Sequence, residues 1–306
     1  MKNRFSFNDR VMGLLKLTRI EHSIMLVLAV IAAELETVGL GGLPQFGIIA
    51  LSIITPIFLS MASFAINDYF DVETDRANRR FDRPLVSGAV SKKAALYTAG
   101  ASFIIGVAAS FPINFYAFML AIMFGVMAFL YSYRLKDTLL LGNVYIALSM
   151  VVAFIYGDLV VSGYIAQSII IISIIIFLSG LAREIHGMIR DYDGDAKVRR
   201  MRGLVHYIGA PKSATIALVL YAEAVAISIF AFFFYEPFLY NALYMIPILI
   251  ADAALMYVAI GYFKRIEAGA LKRSSQFFIS ARNISLGAMA LALVAYLIAP
   301  LGALLH

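Results

Sequence analysis

The string NDYFDVETD places Asn67, Asp68, Asp71 and Asp75 directly after 24 residues, 43–66, that carry no charge at all. A second acidic string, REIHGMIRDYDGD, spans residues 183–195. At 100° per residue on a helix, Asn67, Asp68, Asp71 and Asp75 fall within about 100° of arc, and Glu73 points away. In the second string Asp191, Asp195 and Glu184 share about 40° of arc, with Asp193 off that face. Stripes of bare carboxylates repel one another, and divalent cations relieve the repulsion. The donors are all oxygen, with no cysteine in the chain and no histidine pair nearby, which favours Mg²⁺ over zinc or copper. Mg²⁺ keeps coordination positions for substrate phosphates. The neighbouring Arg79, Arg80, Arg83, Lys136 and Lys197 are suited to phosphate oxygens.

The elements that must carry these residues are apolar. Of 306 residues, 62% are hydrophobic and 14% charged, with a mean hydropathy of +0.87. Such a chain lacks the polar surface of a soluble domain and reads as an all-α, polytopic membrane protein. Apolar segments of spanning length fall at about 20–38, 43–67, 93–111, 113–132, 138–161, 164–188, 213–235, 238–262 and 277–304. The expectation is one transmembrane domain, 1–306: nine helices in a bundle, with a central cavity opening to the cytoplasmic side. Residues 1–18 lack a small-residue cleavage site and read as an interfacial helix rather than a signal peptide. Residues 68–92 and 191–212 are expected as cytoplasmic links bearing the two motifs.

Charge supports this layout. With nine alternating spans, the N-terminal segment and the links 2–3, 4–5, 6–7 and 8–9, with their edges, hold all 25 lysines and arginines. The positive-inside rule makes that side cytoplasmic. The N-terminus and both motifs then face the cytoplasm, and the C-terminus lies opposite. The pI of about 9.4 thus reflects topology rather than a nucleic-acid partner. The absence of cysteine removes disulfides, thiolate metal sites and cysteine nucleophiles. The absence of tryptophan leaves tyrosine to supply any aromatic belt.

At the motifs the chain resembles the UbiA superfamily of intramembrane prenyltransferases. Asn67, Asp68, Asp71 and Asp75 match the family's N-D-x-x-D-x-x-x-D, and Asp191 and Asp195 match its D-x-x-x-D, with Gly194 and Lys197 alongside. YSYRLK is similar to the family's Y-S-x-x-x-K through Tyr131, Ser132 and Lys136, and Gly142-Asn143 follows. DRPLVSG is similar to R-P-L-x-S-G through Arg83, Pro84, Leu85 and Gly88. The chain departs from the family at Asn78-Arg79-Arg80-Phe81, where N-P is common, and at MRGLVHYIG, where T-L-P is common. Both departures bear on the acceptor rather than on the metal ligands.

The resemblance implies a prenyl diphosphate donor, a lipophilic acceptor and two Mg²⁺ ions. It implies Asn67, Asp71, Asp191 and Asp195 as metal ligands. Asp68 and Asp75 either join them or hold waters and bases around them. Arg83, Lys136 and Lys197 become diphosphate ligands, with Arg79 and Arg19 as further candidates. An allylic cation formed on ionisation would be stabilised by an aromatic face, with Tyr131, Tyr133 and Tyr145 as candidates. The acceptor is either an aromatic quinone precursor or geranylgeranylglyceryl phosphate. AREI, residues 182–185, is similar to the archaeal-lipid branch.

Two other readings fit the sequence less well. CDP-alcohol phosphotransferases require D-G-x-x-A-R, and Asp71 is followed by Val72. A transporter of an ion or small metabolite would place charge at mid-span, whereas charge here clusters at one interface. Among remaining acids, Glu184 shares the acidic face, and Glu223 and Asp252 lie inside spans, where function and interhelical hydrogen bonding are both expected. His186 is expected in a local contact and His206 in a loop.

Overall fold

The computed structural model describes residues 5–138, 140–198, 203–269 and 276–304; the side chains of Asp137, of residues 192–198 and of residues 303–304 are not among those described. Every regular element among the described residues is helical. Eleven α-helices occur: α1 (Phe7–Thr18), α2 (Ile20–Val38), α3 (Phe46–Ala77), α4 (Pro84–Ser87), α5 (Lys92–Ser110), α6 (Phe115–Tyr133), α7 (Leu141–Ser162), α8 (Gln167–Val198), α9 (Leu204–Phe234), α10 (Ala242–Glu267) and α11 (Gln276–Ile298).

Eight segments among the described residues are long and apolar enough to cross a membrane, α3 and α5–α11. The ninth expected span, α2, has the length but carries Glu21, Glu34 and Glu36 in its 19 residues. Glu34 and Glu36 are both buried inside the protein, a feature the hydropathy of the segment conceals.

Two helices outlast their apolar runs. At 1.5 Å per residue the 32 residues of α3 reach roughly 48 Å, against about 30 Å of hydrocarbon. It is therefore about three turns longer than an untilted span needs, and its final three turns carry Asn67 to Asp75. The 32-residue α8 carries Asp191 at the end of its candidate span. Both motifs thus sit on helix, and the first link begins only after Ala77.

The chain divides into two compact units: residues 1–27 with 44–136, and residues 28–43 with 137–306. In the first, α3 packs on α5 and α6, and α1 lies against α3 and α4. Gly106 makes the first of these packings close, since a Cβ there would meet Leu59 at 3.0 Å. The turn between α5 and α6 at Phe111-Pro112 ends in Asn114, whose side chain caps α6 by accepting from Ala117 N at 2.9 Å.

In the second unit α8 packs on α7 and α9, and α10 on α9 and α11. A Cβ at Gly157 of α7 would lie 2.4 Å from the Val30 carbonyl oxygen of α2, so only glycine permits that approach. At the next residue, Asp158 is fully buried and saturated: it accepts from Thr37 Oγ1 at 2.8 Å, Ser162 Oγ at 3.1 Å and Ala166 N at 2.7 Å. Asp252 of α10 accepts from Ser228 Oγ of α9 at 2.6 Å, the interhelical bond expected of a buried acid. Glu223 is exposed on α9 and has no hydrogen bond or ion pair among the described residues. His206 lies on helix, not in a loop. Helical structure starts at Leu204, and a break at Gly209 (φ 81°) just before Pro211 separates that short piece from the long span.

Candidate active site

The first motif lies along one face of α3, and each of its aspartates is engaged by a cation. Asp68 is 3% exposed, and its Oδ1 receives Arg19 Nη2 at 2.5 Å and Arg83 Nη1 at 3.5 Å. Asp71 Oδ1 receives Lys136 Nζ at 2.5 Å. Asp75 pairs with Arg80 at 3.6 Å and with Arg83 Nε at 3.7 Å. Asn67 is half-buried on the same face. Glu73 is exposed and paired with Arg76 and Lys92, as its phase on the helix requires. Burying carboxylates without partners is costly, so the nearest lysines and arginines serve as their counterions.

Local sequence places these cations. Arg19 ends α1 in the left-handed region (φ 44°, ψ 48°), with its N–H bonded to the Leu15 carbonyl. A non-glycine residue there is strained, and it is held by its side-chain contacts: Asp68 on one side and the Phe64 ring, 4.7 Å from the guanidinium carbon, on the other. Burial pulls the Arg19 guanidinium below its usual range, and Asp68 opposes the fall. Arg83 caps α4, where Pro84 occupies the first helical position. Lys136 lies in the short 3₁₀ turn that follows α6. Arg79 also has positive φ (56°), but it is exposed and makes no ion pair with the aspartates.

In the second unit a cavity of about 360 Å³ opens beside Asp191. Arg190 donates to both Asp191 oxygens, at 2.8 and 2.7 Å. Glu184 lies 3.5 Å from both Arg183 and Asn143 Nδ2. His186 is buried and stacked on Tyr262, with ring centroids 3.9 Å apart and planes 3° from parallel. Arg282 and Ser285 of α11 complete the polar wall. Arg282 and Tyr262 were not expected at a site. Arg282 reads in the sequence only as one more basic residue at a span edge, and Tyr262 as an apolar-run tyrosine. Asp195 and Lys197 lie on α8, but their side chains fall outside those described.

The aromatic candidates differ in setting. Tyr145 is buried in α7, Tyr131 is half-buried on α6, and Tyr133 is exposed and stacked on Phe129.

Among the described residues no three Asp, Glu, His or Cys side chains converge to form a metal site alone. The donors still suit Mg²⁺, which takes one or two carboxylates and completes its shell with water and phosphate. Asp68 Oδ2 is buried with no hydrogen-bond partner, an acceptor left over after Arg19 and Arg83 have taken Oδ1.

Comparison with known proteins decides the family. The UbiA prenyltransferase family model matches residues 25–282. The chain belongs to the UbiA prenyltransferase family. It is a prenyltransferase and an integral membrane protein, which sets the transporter reading aside. Among relatives of this UbiA prenyltransferase, digeranylgeranylglyceryl phosphate synthase of Archaeoglobus fulgidus is 36% identical over 246 residues, 80% of this chain and 81% of the relative. The synthase of the same name from Saccharolobus solfataricus is 32% identical, covering 76% of this chain and 80% of the relative.

Solved structures share the fold. One described as concerning digeranylgeranylglyceryl phosphate synthase in membranes superposes with a TM-score of 0.76 at 24% identity, covering 95% of this chain and 98% of that one. A UbiA homologue from Archaeoglobus fulgidus bound to GPP and Mg²⁺ gives 0.66 at 19% identity, covering 93% and 99%.

Proposed function

We propose that this prenyltransferase moves a geranylgeranyl group from its diphosphate to the free hydroxyl of geranylgeranylglyceryl phosphate, with two Mg²⁺ ions. The observation that carries the reading is the α3 face, where every aspartate of the motif is matched by a lysine or arginine. A site built to hold a metal–diphosphate needs both charges at close quarters. The names of the relatives favour the glyceryl phosphate acceptor over an aromatic one.

Asn67, Asp68, Asp71, Asp75, Asp191 and Asp195 would hold Mg²⁺, which when bound neutralises diphosphate charge and makes it a better leaving group. Arg19, Arg83 and Lys136 are positioned to turn from the aspartates to the diphosphate oxygens and take up the charge that grows as the C–O bond breaks. Lys197 and Arg79 are further candidates for the same task. Before the ligands arrive, Asp68 and Asp75, the most buried acids of the face, would hold Arg19 and Arg83 in position. Tyr131 offers a ring face to the developing allylic cation. The whole chain would act as one prenyltransferase domain, with α2 as the first of nine spans, residues 1–18 at the interface and the motifs on the cytoplasmic side.

The test replaces Asp71 or Asp191 with Ala. Mg²⁺-dependent diphosphate release is then assayed with a geranylgeranyl donor and the phosphorylated glycerol ether. Retention of full activity in either variant would sink the metal role. Transfer to an aromatic acceptor alone would sink the acceptor assignment.

A further inference from the structure

The proposed reaction joins two anionic lipids, and each needs its own cations. The candidates that hold the motif on α3 are Arg19, Arg83 and Lys136, all in the first unit. The cavity of the second unit supplies an independent set: Arg183, Arg190 and Arg282, with Asn143 and Ser285 as further hydrogen-bonding groups. We infer that this cavity receives the phosphate monoester of the glycerol-ether acceptor, with Arg282 as its principal ligand. The inference rests on the acceptor assigned above and names the residues that select it.

Three observations carry it. The first is the charge inventory of the wall. Its acids are already matched, Asp191 by Arg190 at 2.7 Å and Glu184 by Arg183 at 3.5 Å. Arg282 has no carboxylate partner among the described residues, so it is the cation of the wall left for an incoming anion. A guanidinium presents paired N–H donors in the geometry that phosphate oxygens accept.

The second is depth. Arg183 and Arg190 lie within the last three turns of α8 up to the end of its candidate span at Asp191. Tyr262 lies near the C-terminal end of α10, and Arg282 lies in the second turn of α11. An amphiphile with its headgroup here keeps its chains in hydrocarbon.

The third is the floor. The His186–Tyr262 stack is backed by Tyr221, whose ring lies 5.5 Å from that of His186. Ile185, Ile189, Leu255 and Phe278 belong to the apolar cluster around it. Both His186 ring nitrogens are buried and lack a hydrogen-bond partner, so the ring is held as a packing surface. The floor is thus apolar and aromatic where the wall is cationic, matching a phosphate joined to a glycerol ether.

Arg282 is also the clean residue to change. Removing Arg183 or Arg190 would strand Glu184 or Asp191, whereas removing Arg282 strands no acid among the described residues. In the full-length enzyme, Arg282→Gln should raise KM for the phosphorylated glycerol ether by about ten- to hundredfold, the scale of a lost charged hydrogen bond. KM for the prenyl diphosphate should stay within about twofold. The preference for the phosphorylated ether over its dephosphorylated alcohol should vanish, and Arg282→Lys should restore part of it. An unchanged acceptor KM, a matching rise in donor KM or an undiminished phosphate preference would each overturn the inference. If the unaltered enzyme uses the glycerol ether and Arg282→Gln changes nothing, only this inference fails. If the unaltered enzyme rejects that acceptor, the proposed function fails and this inference with it.

Discussion

At the scale of single residues, Asp71 and Asp191 are the sharpest probes because each has one dominant partner: Lys136 for the first and Arg190 for the second. Replacing either by Ala removes one oxygen donor and frees a single cation, where losing Asp68 would free two. The fold should therefore survive, while activity falls by at least about a hundredfold, the usual scale for one preorganised electrostatic contact. Asp68 is the poorer probe. It is buried under two arginines, and its loss would leave Arg19 and Arg83 without their counterion, mixing stability with catalysis. The acids of the first motif were legible in the sequence because their helical phase separates them from Glu73, and the paired cation of Glu73 on the exposed side fits that separation. Arg282 was not legible. Its role depends on α11 packing beside α8 and α10, a tertiary fact that no local pattern encodes.

At the scale of elements, helices that outrun the membrane set the site. Apolar content marks where α3 and α8 leave hydrocarbon, but not where they end. The helix continues because backbone hydrogen bonds are satisfied internally in lipid and in water alike. Buried acids in apolar segments were the other surprise: Glu34, Glu36 and Asp158 do not disturb a hydropathy average. Asp158 is saturated by donors from α2, α7 and the following turn, next to the close approach of Gly157 to the Val30 carbonyl. Gly157→Ala tests this junction. The added methyl meets the Val30 carbonyl, and overpacking of this kind costs about 1–3 kcal/mol, against a helix-propensity gain of at most about 1 kcal/mol. The variant should melt at lower temperature in a thermal unfolding scan in detergent, and an unchanged or raised Tm would refute the contact.

At the scale of the whole molecule, the proposed layout of nine alternating spans would put all 25 basic residues on one side of the membrane. The absence of cysteine makes that assignment directly testable. With an impermeant maleimide added to intact cells, a lone cysteine introduced by Tyr164→Cys should be labelled and one introduced by Asn78→Cys should not. The reverse pattern would invert the protein. The ion pairs on α3 have a further consequence. On the proposed function, an arriving Mg²⁺ would displace a lysine or arginine from its carboxylate, and an arriving diphosphate would give that displaced cation a new partner. Each ligand thus removes the obstacle to the other, and their affinities are thermodynamically linked: the factor by which diphosphate tightens Mg²⁺ equals the factor by which Mg²⁺ tightens diphosphate. Calorimetric titration of each ligand with and without the other, corrected for their complex in solution, reads this factor, and a value of one would mean the cations never trade partners. A site wired this way would favour the metal–diphosphate pair over either ligand alone.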